Sequence, residues 1–155
     1  YLCHLIILLI PFFFLVLIFF LILFGAFVSG LDAGKIYNSW PLMNNGYFPD
    51  DNDFVSLFKL SALSDPSLVQ FIHRNLAYII GIFYFFMIYK IYKKKMYGLY
   101  KSINILGGLI ILQIILGIFT VINGAQIYIA SMHQISSIFL VTSSIYFFHL
   151  NTKSN

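Results

Sequence analysis

The chain has 155 residues, 61% of them hydrophobic and only 9% charged, with a mean hydropathy of +0.92. Soluble domains carry about 25% charged residues, so this composition excludes a water-soluble globule and places the chain in a membrane. A single cysteine, Cys3, excludes an internal disulfide, and the formal charge of +4 matters through its placement.

Four stretches are long and apolar enough to cross a bilayer, which takes about 20 helical residues. The first covers residues 5–28, with Pro11 as an expected kink. It is too long for a signal-peptide core and lacks a basic leader, so we read it as a span. The chain starts at Tyr1 rather than Met, which leads us to expect a fragment or a processed piece. A long loop follows, residues 29–65, and loops of such length are usually functional. The second span covers residues 66–92. Ser64 or Asp65 can cap it, and Pro66 suits its first position because proline lacks the amide that would be orphaned there. The third covers residues 103–122, and the fourth, residues 126–150, follows the turn dipeptide Asn123-Gly124.

Charge sorts the loops. Lys90, Lys93, Lys94, Lys95 and Lys101 surround the connection between the second and third spans without an acid among them. All the acids, Asp32, Asp50, Asp51, Asp53 and Asp65, lie between the first and second. The positive-inside rule then places the lysine loop and both termini on the cytoplasmic or matrix side. Short connections imply an all-α, up-down-up-down four-helix bundle in the membrane, a single domain over residues 1–155 with the long loop outside.

Within this bundle two histidines share a depth. His73 lies about eight residues beyond Asp65 and His133 about eight beyond Ala125, so both sit roughly 12 Å below parallel helix starts. An ionisable side chain in a span usually faces the bundle interior, and one histidine alone reads equally as an interhelical hydrogen-bonding contact. The second and fourth spans are diagonal, with axes about 12–14 Å apart if neighbours pack at 8–10 Å. That spacing suits two imidazoles on opposite faces of a haem in the bundle core. Small residues share the helix faces, Ala77 and Gly81 beside His73, and Ala130, Ser136 and Ser137 beside His133. Gln113, Gly117 and Thr120 on the third span, and Gly25, Ser29 and Asp32 on the first, form stripes that can face the same interior. Such stripes leave room for a macrocycle or simply allow close helix packing. Two histidines fall short of a zinc or copper ligand set, and no acid lies deep in a span to form a proton relay. Arg74 reads either as a clamp for haem propionates or as a snorkelling cation. His4 and His149, near the inner ends of the first and fourth spans, are weaker candidates for a second haem pair, which would make the chain a dihaem b-type electron-transfer cytochrome.

Four motifs occur in order: GAFVSGLDAGKIYNSWPLM (25–43), VQFIHR (69–74), LGIFTV (116–121) and MHQ (132–134). Together they closely resemble the C-terminal half of haem A synthase, of the mitochondrial and alphaproteobacterial type. That resemblance implies an oxidoreductase that converts the methyl group of haem O to the formyl group of haem A for cytochrome c oxidase. It implies eight spans in two similar halves. The C-terminal half holds a haem b cofactor through two iron ligands, here His73 and His133. Haem O would bind the other half, which supplies the catalytic residues; this chain contains no glutamate and its own catalytic residues are unassigned. The implied partners are that N-terminal half, membrane lipid, haem O synthase and an electron acceptor, with no nucleic acid. The implied location is the mitochondrial inner or bacterial cytoplasmic membrane. Asp32, Lys35, Tyr37, Asn38, Trp40 and Pro41 match the family's outer-loop motif, and either cover the haem edge or order the loop, with Asp32 near enough to contact Arg74.

Overall fold

The computed structural model describes residues 2–153, with side chains from Leu9 onward. Four long helices dominate: α1 (Leu2–Gly30), α2 (Pro66–Lys93), α3 (Tyr100–Ile122) and α4 (Ile127–Lys153). No strand occurs among the described residues beyond an isolated bridge between Met43 and Gly46. The all-α bundle is as the apolar runs predict. Helix α1 continues through Pro11.

Residues 9–30, α2 and residues 97–122 are long and apolar enough to cross a membrane. The apolar runs predict four such spans, and α4 falls short of that apolarity. Its 27 residues rise about 40 Å, ample for a hydrocarbon core of about 30 Å. Uncharged polar residues, among them His133, Gln134, Ser136 and Ser144, lower its hydropathy, and Ser136 and Ser144 are buried.

Local chemistry sets the helix ends. The Asp65 carboxylate accepts from the Leu68 amide at 3.0 Å, with Pro66 in the first turn, so Asp65 rather than Ser64 is the cap. Lys90 and Lys93 occupy the last turn of α2, where cations favour the exposed carbonyls. Between α3 and α4, Gly124 and Ala125 both take positive φ, 61° and 55°, and reverse the chain.

Helix α1 packs on α2 and α4, whereas α3 packs mainly on α4 and lightly on α2. This ring order leaves α2 diagonal to α4. The buried core gathers toward the lysine-bearing half: Phe14 and Ile18, then Ile80, Tyr84 and Met87, then Ile103 and Leu106, then Leu140 and Phe147. His73 and His133 belong to the opposite half. There the long loop forms short 3-10 turns at Ala33–Lys35, Phe54–Phe58 and Leu60–Ser64, and the first touches α1, α2 and α3.

Candidate functional site

Glycines make room for the two interior imidazoles. A Cβ added to Gly25 on α1 would come within 3.3 Å of His73 Cε1, and one on Gly117 of α3 within 3.2 Å of His133 Cε1. Each histidine is therefore seated against the backbone of the neighbouring helix. Both Nδ1 atoms are buried without a hydrogen-bond partner. An unpartnered buried nitrogen is costly in a protein interior unless something completes it. The Gln113 amide of α3 fixes the turn that carries His133, donating to the His133 carbonyl at 3.2 Å and to Ser136 Oγ at 2.5 Å.

Arg74 turns away from the histidines to the loop. Its Nη2 donates to the Tyr37 carbonyl at 2.9 Å, and its Nη1 to the carbonyls of Ser39 at 3.0 Å and Leu42 at 3.4 Å. Its Nε is buried and unpartnered. Asp32 does not reach Arg74. It pairs with Lys35 at 2.7 Å, three residues along, and both side chains are exposed. The left-handed backbone at Asp32, φ 52°, belongs to the tight turn that brings this local pair together.

A lacework of polar contacts holds the loop across the helix ends. Gln70, one turn before Arg74, donates to the same Tyr37 carbonyl at 3.1 Å. Asn38 donates to the Gly34 and Val121 carbonyls, tying the loop to α3. The Trp40 indole donates to Tyr78 Oη at 3.2 Å, and the Tyr47 hydroxyl to Asn75 Oδ1 at 2.5 Å. Trp40 is nonetheless half exposed. Gly34 lies so close to Ala125 that a Cβ would meet the alanine methyl at 2.9 Å, which explains a glycine in the GLDAG turn. Tyr37 is buried, and its hydroxyl reaches Asp50 at 2.5 Å and Asp51 at 3.0 Å, donating to one at a time. Burial first, and then these carboxylates, push the Tyr37 phenol up to about 12. For Asp51, burial works upward, but hydrogen bonds from Ser67, Asn52 and Tyr37 outweigh it and hold the carboxyl below its usual value.

The structure seats His73 against Gly25, and His133 against Gly117 with its carbonyl held by Gln113, and it sets Arg74 between α2 and the loop. It does not bring in His149, which is exposed on α4, and His4 lies outside the described residues. Gln70, Ser67, Tyr78 and Asn75 were not singled out from sequence. The spacing of Gln70 and Arg74, four apart on one helix face, was the available signal.

The fold defines an all-helical membrane protein. Residues 5–145 match the family described as cytochrome oxidase assembly protein (COX15-CtaA), and the chain belongs to that family. It is 43% identical over 134 residues to haem A synthase of Pelagibacter ubique, covering 86% of this chain and 39% of that protein. It is 41% identical over 133 residues to haem A synthase of Wolbachia pipientis wMel, covering 86% of this chain and 36% of that protein. Haem A synthase COX15 of Saccharomyces cerevisiae is 36% identical over 138 residues, with 79% of this chain and 28% of the yeast protein covered. The chain thus spans well under half the length of these relatives. No solved structure matches it.

Proposed function

We propose that this chain is the cofactor-carrying half of a haem A synthase, an oxidoreductase that converts the haem O methyl group to the formyl group of haem A. The observation that carries this reading is the pair of buried, unpartnered imidazole nitrogens, each ring against a glycine, on diagonal helices. The residues present fit a haem: two imidazole nitrogens left without partners, each ring seated against a glycine, and a guanidinium one residue beyond His73. His73 and His133 are the residues that would hold a haem b iron. Such a haem, when bound, would supply one-electron transfer. Gly25 and Gly117 let the imidazoles lie back against the helices, and Gln113 holds the His133 turn in place. Arg74 has five N–H donors, of which loop carbonyls take three. Nε–H and one Nη2 hydrogen remain for a propionate carboxylate, so the same residue orders the loop and receives the haem edge.

Oxidation of haem O itself we assign to the part of the relatives' length that this chain does not span. The complementary half, an electron acceptor and haem O synthase are the proposed partners. The lysine-bearing end and both termini lie on the cytoplasmic or matrix side, by the positive-inside rule, in a mitochondrial inner or bacterial cytoplasmic membrane.

The test is to purify the chain in detergent and titrate it with haem b. One low-spin haem per chain is expected, lost in His73→Ala and His133→Ala and kept in His4→Ala and His149→Ala. Two haems per chain would instead support a dihaem electron carrier. Absence of any haem would refute the site.

A further inference from the structure

The long loop turns apolar side chains outward beside the start of α2. In the 3-10 turns at Phe54–Phe58 and Leu60–Ser64, Phe54 is 62% exposed, Phe58 79% and Leu60 85%. Val55 and Leu63 are exposed as well, and within the two turns only Ala62 is buried. Polar contacts fasten the turns in place. The Asp53 carboxylate accepts from the Ser56 amide at 2.8 Å, Asn52 donates to the Asp65 carboxylate at 3.3 Å, and the second turn packs on α2.

A row of aromatic rings connects this patch to the span. Phe71 on α2 meets Phe48 at 5.0 Å between centroids, Phe48 meets Phe54 at 5.8 Å, and Phe54 meets Phe58 at 5.8 Å. Helix α2 rises about 42 Å over its 28 residues, against a hydrocarbon core of about 30 Å, so centring it leaves about 6 Å outside at each end. Lys90 and Lys93 then lie beyond the hydrocarbon at one end. At the other, Phe71 is about 8 Å along from Pro66 and sits at the hydrocarbon boundary. The row of rings therefore leads from that boundary into the loop.

We propose that residues 54–63 are an interfacial anchor, whose exposed apolar side chains lie in the headgroup boundary of the membrane around the start of α2. Aromatic side chains concentrate at this depth, and interfacial segments bury their apolar face about 5–10 Å into it. A cluster of exposed apolar side chains calls for a covering surface, and the lipid beside α2 is already at hand. The neighbouring Asp50, Asp51 and Asp53 disfavour an anionic headgroup, so the lipid is zwitterionic. Lys59, exposed between the two turns, has a stem long enough to keep its ammonium at the phosphate level.

The test uses the full chain in phosphatidylcholine vesicles, with Cys3→Ser to remove the native thiol. A nitroxide is attached at Phe58→Cys or Leu60→Cys, and at Asn45→Cys in the polar turn of the same loop. Power saturation then compares collisions with oxygen, which partitions into lipid, and with a nickel chelate, which stays in water. Oxygen should dominate at 58 and 60, and the order should invert at 45. Circular dichroism of each labelled variant checks that the helices remain. Dominance of the nickel chelate at 58 and 60 would place the turns in water and overturn the anchor. Low collision with both reagents there would mean cover by protein, such as a second copy of the chain, and would overturn lipid as the occupant.

Discussion

Gly117 on α3 stands against the imidazole of His133 on α4, with 3.2 Å between the site of an added Cβ and the ring. Gly25 on α1 and His73 on α2 repeat this relationship between the other pair of neighbouring helices at 3.3 Å. A methyl group there is tight by only a few tenths of an ångström, so Gly117→Ala is expected to keep the haem and shift its absorption bands. A larger side chain must push the ring aside. Overpacking of this kind costs about 1–3 kcal/mol, so Gly117→Leu and Gly25→Leu should weaken haem binding by about ten- to a hundredfold. Titration of the Soret band against helicity separates this loss from unfolding, and unchanged affinity in both leucine variants would detach the glycines from the site.

Arg74 is the main fastener of the outer loop. Hydrogen bonds to a charged group contribute about 1.5–3 kcal/mol each, and part of that offsets the burial of the guanidinium. Arg74→Ala should cost on the order of 3 kcal/mol and expose residues 37–47 to protease and to hydrogen exchange. Arg74→Lys should recover only part of this, because an ammonium cannot reproduce the planar fork. Equal protection in wild type and Arg74→Ala would show that the loop is held elsewhere.

The Tyr37 and Asp51 contacts give the loop a defined pH window. The Asp51 carboxyl titrates below its unfolded value, so its contribution is complete above about pH 4 and is lost as pH falls through the lower folded value. Tyr37 is raised to about 12, so its contribution is complete below about pH 10 and is lost as pH rises toward that value. Hydrogen exchange of the loop should therefore be slow, after correction for intrinsic rate, between these limits. Tyr37→Phe should remove the alkaline transition and move the acid transition upward, since Asp51 loses a donor. An ultraviolet titration that ionises every tyrosine near pH 10 would contradict this.

Toward the lysine end, Gly107 admits the Tyr84 ring, whose hydroxyl donates to the Ile103 carbonyl at 3.2 Å. A Cβ on Gly107 would collide with that hydroxyl. Gly107→Ala is expected to destabilise the bundle by about 1–3 kcal/mol, read as a lower melting temperature in detergent. Tyr84→Leu in the same background should restore part of it. Failure of that second change to help would place the strain elsewhere.

Much of this was legible along the chain. Spans show as apolar runs, because crossing a bilayer is a one-dimensional requirement on length and polarity. The start of α2 is written in Asp65-Pro66, a local capping pattern. The serine-rich α4 shows the limit of that approach, since polar residues buried against neighbours cost no apolar contact with lipid but lower the hydropathy. Tertiary structure alone decided which glycine meets which imidazole, because that depends on the ring order of the helices. It also decided the partner of Arg74. Sequence offered Asp32 as a complementary charge, yet Asp32 closes on Lys35 three residues away, while the chain returns to present the carbonyls of Tyr37, Ser39 and Leu42 to the guanidinium. Hydropathy and helical period are carried by neighbouring residues, whereas the choice of a buried hydrogen-bond partner is settled where distant backbone groups must be satisfied together.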